Sequence, residues 1–133
     1  MNKKKKISGY RGYIFTNKIA GNFIPQRVQN LVIKDYCERK NLFFKLSITE
    51  FNIGYFKALK KSLKNLNKFD QGIIFYSIFM LPDNRKFRFE IYDRIIKNKK
   101  ILHFALEELT IKSKKEIKKV EDILSIKKNI KNL

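Results

Sequence analysis

Acid–base chemistry in this chain would fall to Glu107, Glu50 and His103, each beside or within a strand-like segment. A carboxyl or imidazole group works as a general acid or base when its pKa lies near the working pH. Glu107 is followed by Glu108, but adjacent residues point different ways, so the two do not serve one site together. His103 is the single histidine and alternates with Leu102 and Phe104. That pattern makes it a strand residue, more often a hydrogen-bonded structural group than a base. The single cysteine, Cys37, lies on an apolar helical stretch and reads as a small packing residue. One histidine and one cysteine do not make a metal site. No glycine-rich phosphate loop, Gly-x-Ser-x-Gly elbow or ligand-spaced carboxylate pair is present. Residue types alone define neither an enzyme nor a cofactor.

The elements that must position these groups alternate between strand-like and helix-like patterns. Tyr10–Thr16 predicts a first strand, and 17–24 a loop. Pro25 suits a first helical turn, where its missing N–H has no partner to lose. Val28, Leu31, Val32 and Tyr36 then recur at helical spacing. Leu42–Ile48 predicts a second strand, and Tyr55–Leu66 a helix. Gly72–Phe79 is uncharged and bounded by Gly72 and Pro82, as a strand buried on both faces would be. A third helix follows Pro82-Asp83-Asn84, and Lys100–Leu106 predicts a fourth strand. Ser113 and Glu116 have capping-box spacing at the start of a last amphipathic helix.

This βαβαβαβα order predicts a single α/β domain over residues 1–133, with a basic tail at 1–8 and a basic C-terminal helix at 112–133. Helix-length connections imply right-handed crossovers and a three-layer sandwich around a small, mostly parallel four-stranded sheet. The arrangement would be resolvase-like or flavodoxin-like. A sheet this small also suits pairing with a second copy.

In such sheets ligands sit beyond the carboxyl ends of the strands. The binding candidates are therefore Thr16 and Asn22 after the first strand and Ser77 near the end of the third. Gln26, Arg27 and Asn30 join them at the opening of the Pro25 helix, where free backbone N–H groups favour an anion. Arg11, a charge inside a strand, needs an edge or a carboxylate such as Glu50 or Glu107.

The chain carries a formal charge of +19 from 25 lysines and six arginines. Phosphate and groove readers favour arginine's fork. Lys, Ile, Asn and Phe make up 68 of the 133 residues, the skew that A+T-rich coding gives. Specific nucleic-acid binding is accordingly the third-ranked function. No apolar run reaches the length of a membrane span. The basic N-terminus lacks an apolar stretch behind it, and one cysteine excludes an internal disulfide, so the expected location is the cytoplasm.

Segments 9–15 (GYRGYIF), 25–37 (PQRVQNLVIKDYC), 76–82 (YSIFMLP), 90–94 (EIYDR) and 102–109 (LHFALEEL) resemble the sporadic carbohydrate cluster family of small bacterial proteins. The resemblance covers about residues 8–126 and implies a place in surface-polysaccharide synthesis, O-antigen or capsule. It transfers no catalytic residue. The function it suggests is binding of a sugar or sugar-nucleotide-like intermediate at the strand ends. The alternative is a non-catalytic partner module for a glycosyltransferase or another pathway enzyme. The layout is also distantly similar to serine recombinase catalytic domains. Phe15 and Asn17 stand where that family places an arginine and its nucleophilic serine, and Arg85 and Arg88 lie further into the helix than its arginine pair. That resemblance therefore implies a fold and no recombinase.

Overall fold

A computed structural model describes residues 7–51 and 54–131. Most of the basic tail expected at 1–8, namely residues 1–6, lies outside the described residues, as does the end of the last helix at 132–133. The chain runs β1 (Gly9–Phe15), α1 (Gln26–Arg39), β2 (Phe44–Glu50), α2 (Lys57–Lys64) and β3 (Asp70–Phe75). A 3-10 turn (Ile78–Met80) leads into α3 (Arg85–Lys97), β4 (Ile101–Phe104), β5 (Leu109–Ile111) and α4 (Lys114–Lys131). The protein is α/β, with a mixed five-stranded sheet ordered β2-β1-β3-β4-β5.

Strands β1 to β4 are mutually parallel, and β5 returns antiparallel to β4. The expected four-stranded sheet is thus extended by one strand. The turn that adds it, 105–108, contains no glycine or proline. Glu108 itself takes the left-handed conformation, at φ 55°. Three residues of β5 are also too few to show an alternating pattern. A second difference falls on the apolar run 72–79. Its strand ends at Phe75, because Ser77 caps a buried 3-10 turn by accepting a bond from the Phe79 N–H.

Order β2-β1-β3 sends the chain to one side of β1 and then to the other, so right-handed crossovers put α1 on one face and α2 and α3 on the opposite face. The packing agrees. Tyr36 of α1 meets His103 of β4, whose ring also lies edge-on to Tyr10. On the other face a run of aromatic contacts links Phe104, Phe75, Tyr13, Phe15, Phe56 and Phe87, at centroid distances of 4.5 to 6.2 Å. Such pairs add roughly 0.5–1.5 kcal/mol each beyond simple burial. Close β3–β4 approach requires Gly72, since a Cβ there would stand 1.7 Å from the Ile101 carbonyl oxygen. Edge strand β2 is bulged: its register against β1 shifts between Tyr10 and Gly12, and Leu46 is turned out to solvent. Among the described residues no helix is long and apolar enough to cross a membrane.

Candidate functional site

The carboxyl ends of β1 to β4 meet at one end of the sheet, where three polar anchors hold the loops. The first is Gln29, fully buried on α1. Its side-chain oxygen accepts from the Phe15 N–H at 2.9 Å, while its amide donates to the Phe15 and Ile24 carbonyls at 2.9 and 2.8 Å. One amide thereby ties the end of β1 to the start of α1. Between them Ile19 and Asn22 pair across a tight turn in which Ala20 (φ 52°) and Gly21 (φ 81°) both adopt left-handed conformations.

The second anchor is Glu50, buried at the end of β2. Its carboxylate accepts from the Tyr13 hydroxyl at 2.8 Å and from the Ala58 and Leu59 N–H groups at 2.9 and 3.1 Å. An anion at the amino end of α2 satisfies two donors that the helix cannot pair internally. Burial, and then the bond to Glu50, raise the Tyr13 pKa. Among the candidates for acid–base work, Glu50 is therefore a helix cap with its carboxylate occupied.

Ser77 and Glu107 form the third anchor, and the structure brings these two sequence candidates together. The Ser77 hydroxyl donates to Glu107 Oε2 at 2.6 Å, and the Ile78 N–H donates to Oε1 at 2.9 Å. Ser77 lies beneath the 3-10 turn, 1% exposed, so its hydroxyl is not a reachable nucleophile. Glu107 is half-buried and keeps an open side.

The remaining candidates scatter. The Thr16 hydroxyl donates to the Glu50 and Phe51 carbonyls, and the Asn22 amide donates to its own turn at Ala20. Gln26 and Arg27 are exposed on the first turn of α1, and Asn30 accepts from Ser47 of β2 at 2.5 Å. Arg11 lies towards the opposite end of the sheet. Its partner is Asp70 (Nε to Oδ1, 3.2 Å), a carboxylate at the start of β3 that Lys45 also contacts, in place of Glu50 or Glu107. Burial alone would raise the Asp70 pKa, but the Asn67 N–H, Lys45 and Arg11 outweigh it and lower it. His103 is buried between α1 and the sheet, with Nδ1 2.7 Å from the Tyr36 hydroxyl and no partner for Nε2. Burial, reinforced by Lys40, lowers its pKa to about 4, so it is neutral near pH 7.

The open space at the strand ends lies elsewhere than the amino end of α1. A cleft of about 1340 Å³ opens between the loop after β1 (Phe15, Lys18, Ala20), the turn after β3 (Phe79–Asp83), α3 and α4. This is the crevice where the connections from β1 and β3 diverge to opposite faces, the ligand position of open α/β sheets. None of Gln26, Arg27, Asn30, Ser77 or Glu107 lines it. Its walls are joined by Glu121 of α4, whose carboxylate accepts from Arg88 Nε and Nη2 at 2.9 and 2.8 Å and from the Tyr92 hydroxyl at 2.6 Å. Arg88 Nη1 is spent on the Pro82 and Asp83 carbonyls. Burial pushes the Glu121 pKa up, but Arg88 and Tyr92 more than offset it and the net shift is downward.

Among the described residues Lys18, Arg85 and Lys114 on the cleft have no ion-pair partner. Phe15, Phe79 and Phe89 supply apolar surface, with Lys127 Nζ 3.7 Å above the Phe79 ring. The Arg85 guanidinium lies 5.1 Å from the Phe89 ring centre, and Asp83, Asp93 and Asp122 share the lining with the cations. An apolar trough with cations free of carboxylates can hold a ring system and its phosphates. The sequence hid this because Lys18, Phe79 and Lys114 are far apart along the chain, and only the fold brings the loop after β1, the turn after β3 and α4 together. Among the described residues no group of three metal-ligating side chains is placed to hold an ion. Fold and site together describe a doubly wound α/β protein with a charged cleft, richer in cations than in carboxylates, at its topological switch point. Comparison with protein-family models, curated proteins and solved structures finds no match to this chain.

Proposed function

We propose that the protein binds an anionic carbohydrate intermediate, a sugar nucleotide in the first place, in the cleft beyond β1 and β3, and serves bacterial surface-carbohydrate synthesis in the cytoplasm. The observation that carries this reading is the coincidence of a cleft of about 1340 Å³ with the switch point of the sheet, lined by Lys18, Arg85 and Lys114. Diphosphate oxygens would meet these cations, and a base or sugar ring would lie on Phe79 and Phe89. The carbohydrate assignment comes from the resemblance of segments 9–15, 25–37 and 102–109 described above.

Titration calorimetry with nucleoside diphosphate sugars at physiological salt tests the reading. Wild-type protein should bind at least one of them. Changing Lys18→Glu together with Arg85→Glu should weaken that binding by about a hundredfold or more, while Arg27→Ala leaves it within about threefold. Absence of binding by every sugar nucleotide would remove the proposal. A second reading, a partner module for a pathway enzyme, draws on the exposed lysines 112, 114, 115, 118 and 119 at the start of α4.

A further inference from the structure

Among the described α-helices, α2 alone carries no acidic residue. From residue 51 to residue 69 the sequence has five lysines and no acidic residue. Lys57, Lys60, Lys61 and Lys64 follow helical spacing, and Lys68 continues the line one turn on. All five are exposed, because Leu59 and Leu63 on the opposite side of α2 are buried against the sheet. None of the five is in an ion pair among the described residues, whereas Arg39, Arg88 and Lys118 on other helices are.

Two aromatic side chains stand at the amino end of this stripe. Phe51 is 73% exposed and Tyr55 is 62% exposed, with Lys57 Nζ 5.7 Å from the Tyr55 ring centre. A fold with a continuous aromatic core has no packing need to leave these rings in water. We propose that α2 is a docking face for an anionic bilayer surface, with its lysines on lipid phosphates and Phe51 and Tyr55 entering the headgroup region. Lysine suits this role: its flexible stem lies along apolar surface while the ammonium remains among the headgroups. Phe51 has no hydrogen-bonding atom in its side chain and gains by leaving water, as interfacial aromatics do. A basic patch joined to an apolar contact meets the two-signal requirement for stable peripheral attachment. The face carries no arginine fork for reading nucleic acid. None of its lysines, nor Phe51 or Tyr55, lines the cleft, so its failure would not bear on ligand binding there.

Sedimentation with vesicles of phosphatidylcholine, with and without phosphatidylglycerol, tests the proposal on the full chain. The protein should pellet with the anionic vesicles only, and less so as salt rises. Lys57→Glu, Lys61→Glu and Lys64→Glu combined should weaken this by about a hundredfold. The matched set Lys112→Glu, Lys115→Glu and Lys119→Glu should change it by less than about threefold. Glutamine at positions 57, 61 and 64 removes charge without reversing it, and should weaken binding by about tenfold if the reversed set fails to fold. Phe51→Ser with Tyr55→Ser should abolish the part of the binding that survives high salt. Equal losses from the α2 and α4 sets would overturn the proposal, as would no preference for anionic vesicles. Tighter binding of short single-stranded DNA, lost with the same α2 changes, would make this a nucleic-acid face instead.

Discussion

His103 links one buried ring to the pH response of the whole protein. It packs against Tyr10 and Tyr36, lies near Lys40, and offers Nε2 no partner. Burial likewise pushes Tyr36 up to about 12, a rise to which Glu108 adds, and Cys37 up to about 11, so neither the hydroxyl nor the thiol is ionised near neutral pH. As pH falls through 6.5 the unfolded chain takes up a proton on this imidazole, which the folded protein refuses until about pH 4. The unfolded state binds more protons across that window, so stability must decline on acidification, by on the order of 3 kcal/mol in total. Urea unfolding at pH 7 and pH 5 should show the decline in wild type. It should show little of it in His103→Phe, which keeps an apolar ring and removes the titration. An unchanged slope in that variant would move the effect to other groups. The sequence marked His103 as a structural strand residue, because its alternation with Leu102 and Phe104 is a local signal. It could not single out Gln29 as an anchor, since nothing local distinguishes that amide from Gln26 three residues earlier. Only the fold shows that Gln29 alone reaches the backbone of Phe15.

At the scale of elements, helix α2 depends on a residue outside it. It has no side-chain cap of its own, Phe56 enters it at φ 48°, and its first N–H groups are satisfied by Glu50 from the end of β2. Glu50→Ala would leave the Ala58 and Leu59 donors and the Tyr13 hydroxyl without that acceptor, a loss of about 3 kcal/mol. Tyr13→Phe removes one of the three bonds and should cost about 1 kcal/mol. Because both changes act on one network, the double variant should be little worse than Glu50→Ala alone. Chemical denaturation of the four proteins measures this, and hydrogen exchange should show α2 opening first. Full additivity would mean that Tyr13 and Glu50 act separately. Elements of this kind were legible where the pattern was long. β1 and β4 follow their apolar runs, α1 follows its helical spacing, and α4 opens at its capping box, where Glu116 accepts from Ser113. The pattern misled where apolar residues continued past the end of an element. Ile78 and Met80 are fully buried like strand residues, yet belong to a 3-10 turn that Ser77 caps and Glu107 anchors.

At the scale of the molecule, the cleft exists only if α4 is held against α3, and that joint is short. Beside the packing of Ile117, Val120, Ile123 and Leu124 on the core and of Lys127 over Phe79, it rests on Glu121, which accepts from Arg88 Nε and Nη2 and from the Tyr92 hydroxyl. Arg88 and Glu121 are mostly but not fully buried, at 14% and 17% side-chain exposure, so breaking the pair costs less than in a dry core. Glu121→Ala should lower stability by about 2 kcal/mol, since it leaves the Arg88 charge unpaired in a half-dry setting. The local effect should exceed the global one. α4 has the sheet's shortest strand beneath it, so its amides should exchange early while those of β1 and β3 stay protected. Sugar-nucleotide affinity should fall by about tenfold or more, because one wall of the cleft loosens. An apolar double change, Arg88→Met with Glu121→Leu, separates position from charge. If the pair serves to place α4, methionine and leucine should restore both the exchange protection of α4 and ligand binding, because a well-packed apolar contact can replace a buried ion pair. If protection returns but binding does not, the Arg88–Glu121 charges act on the ligand themselves, and the anion-binding set extends from Lys18, Arg85 and Lys114 to the joint between the helices.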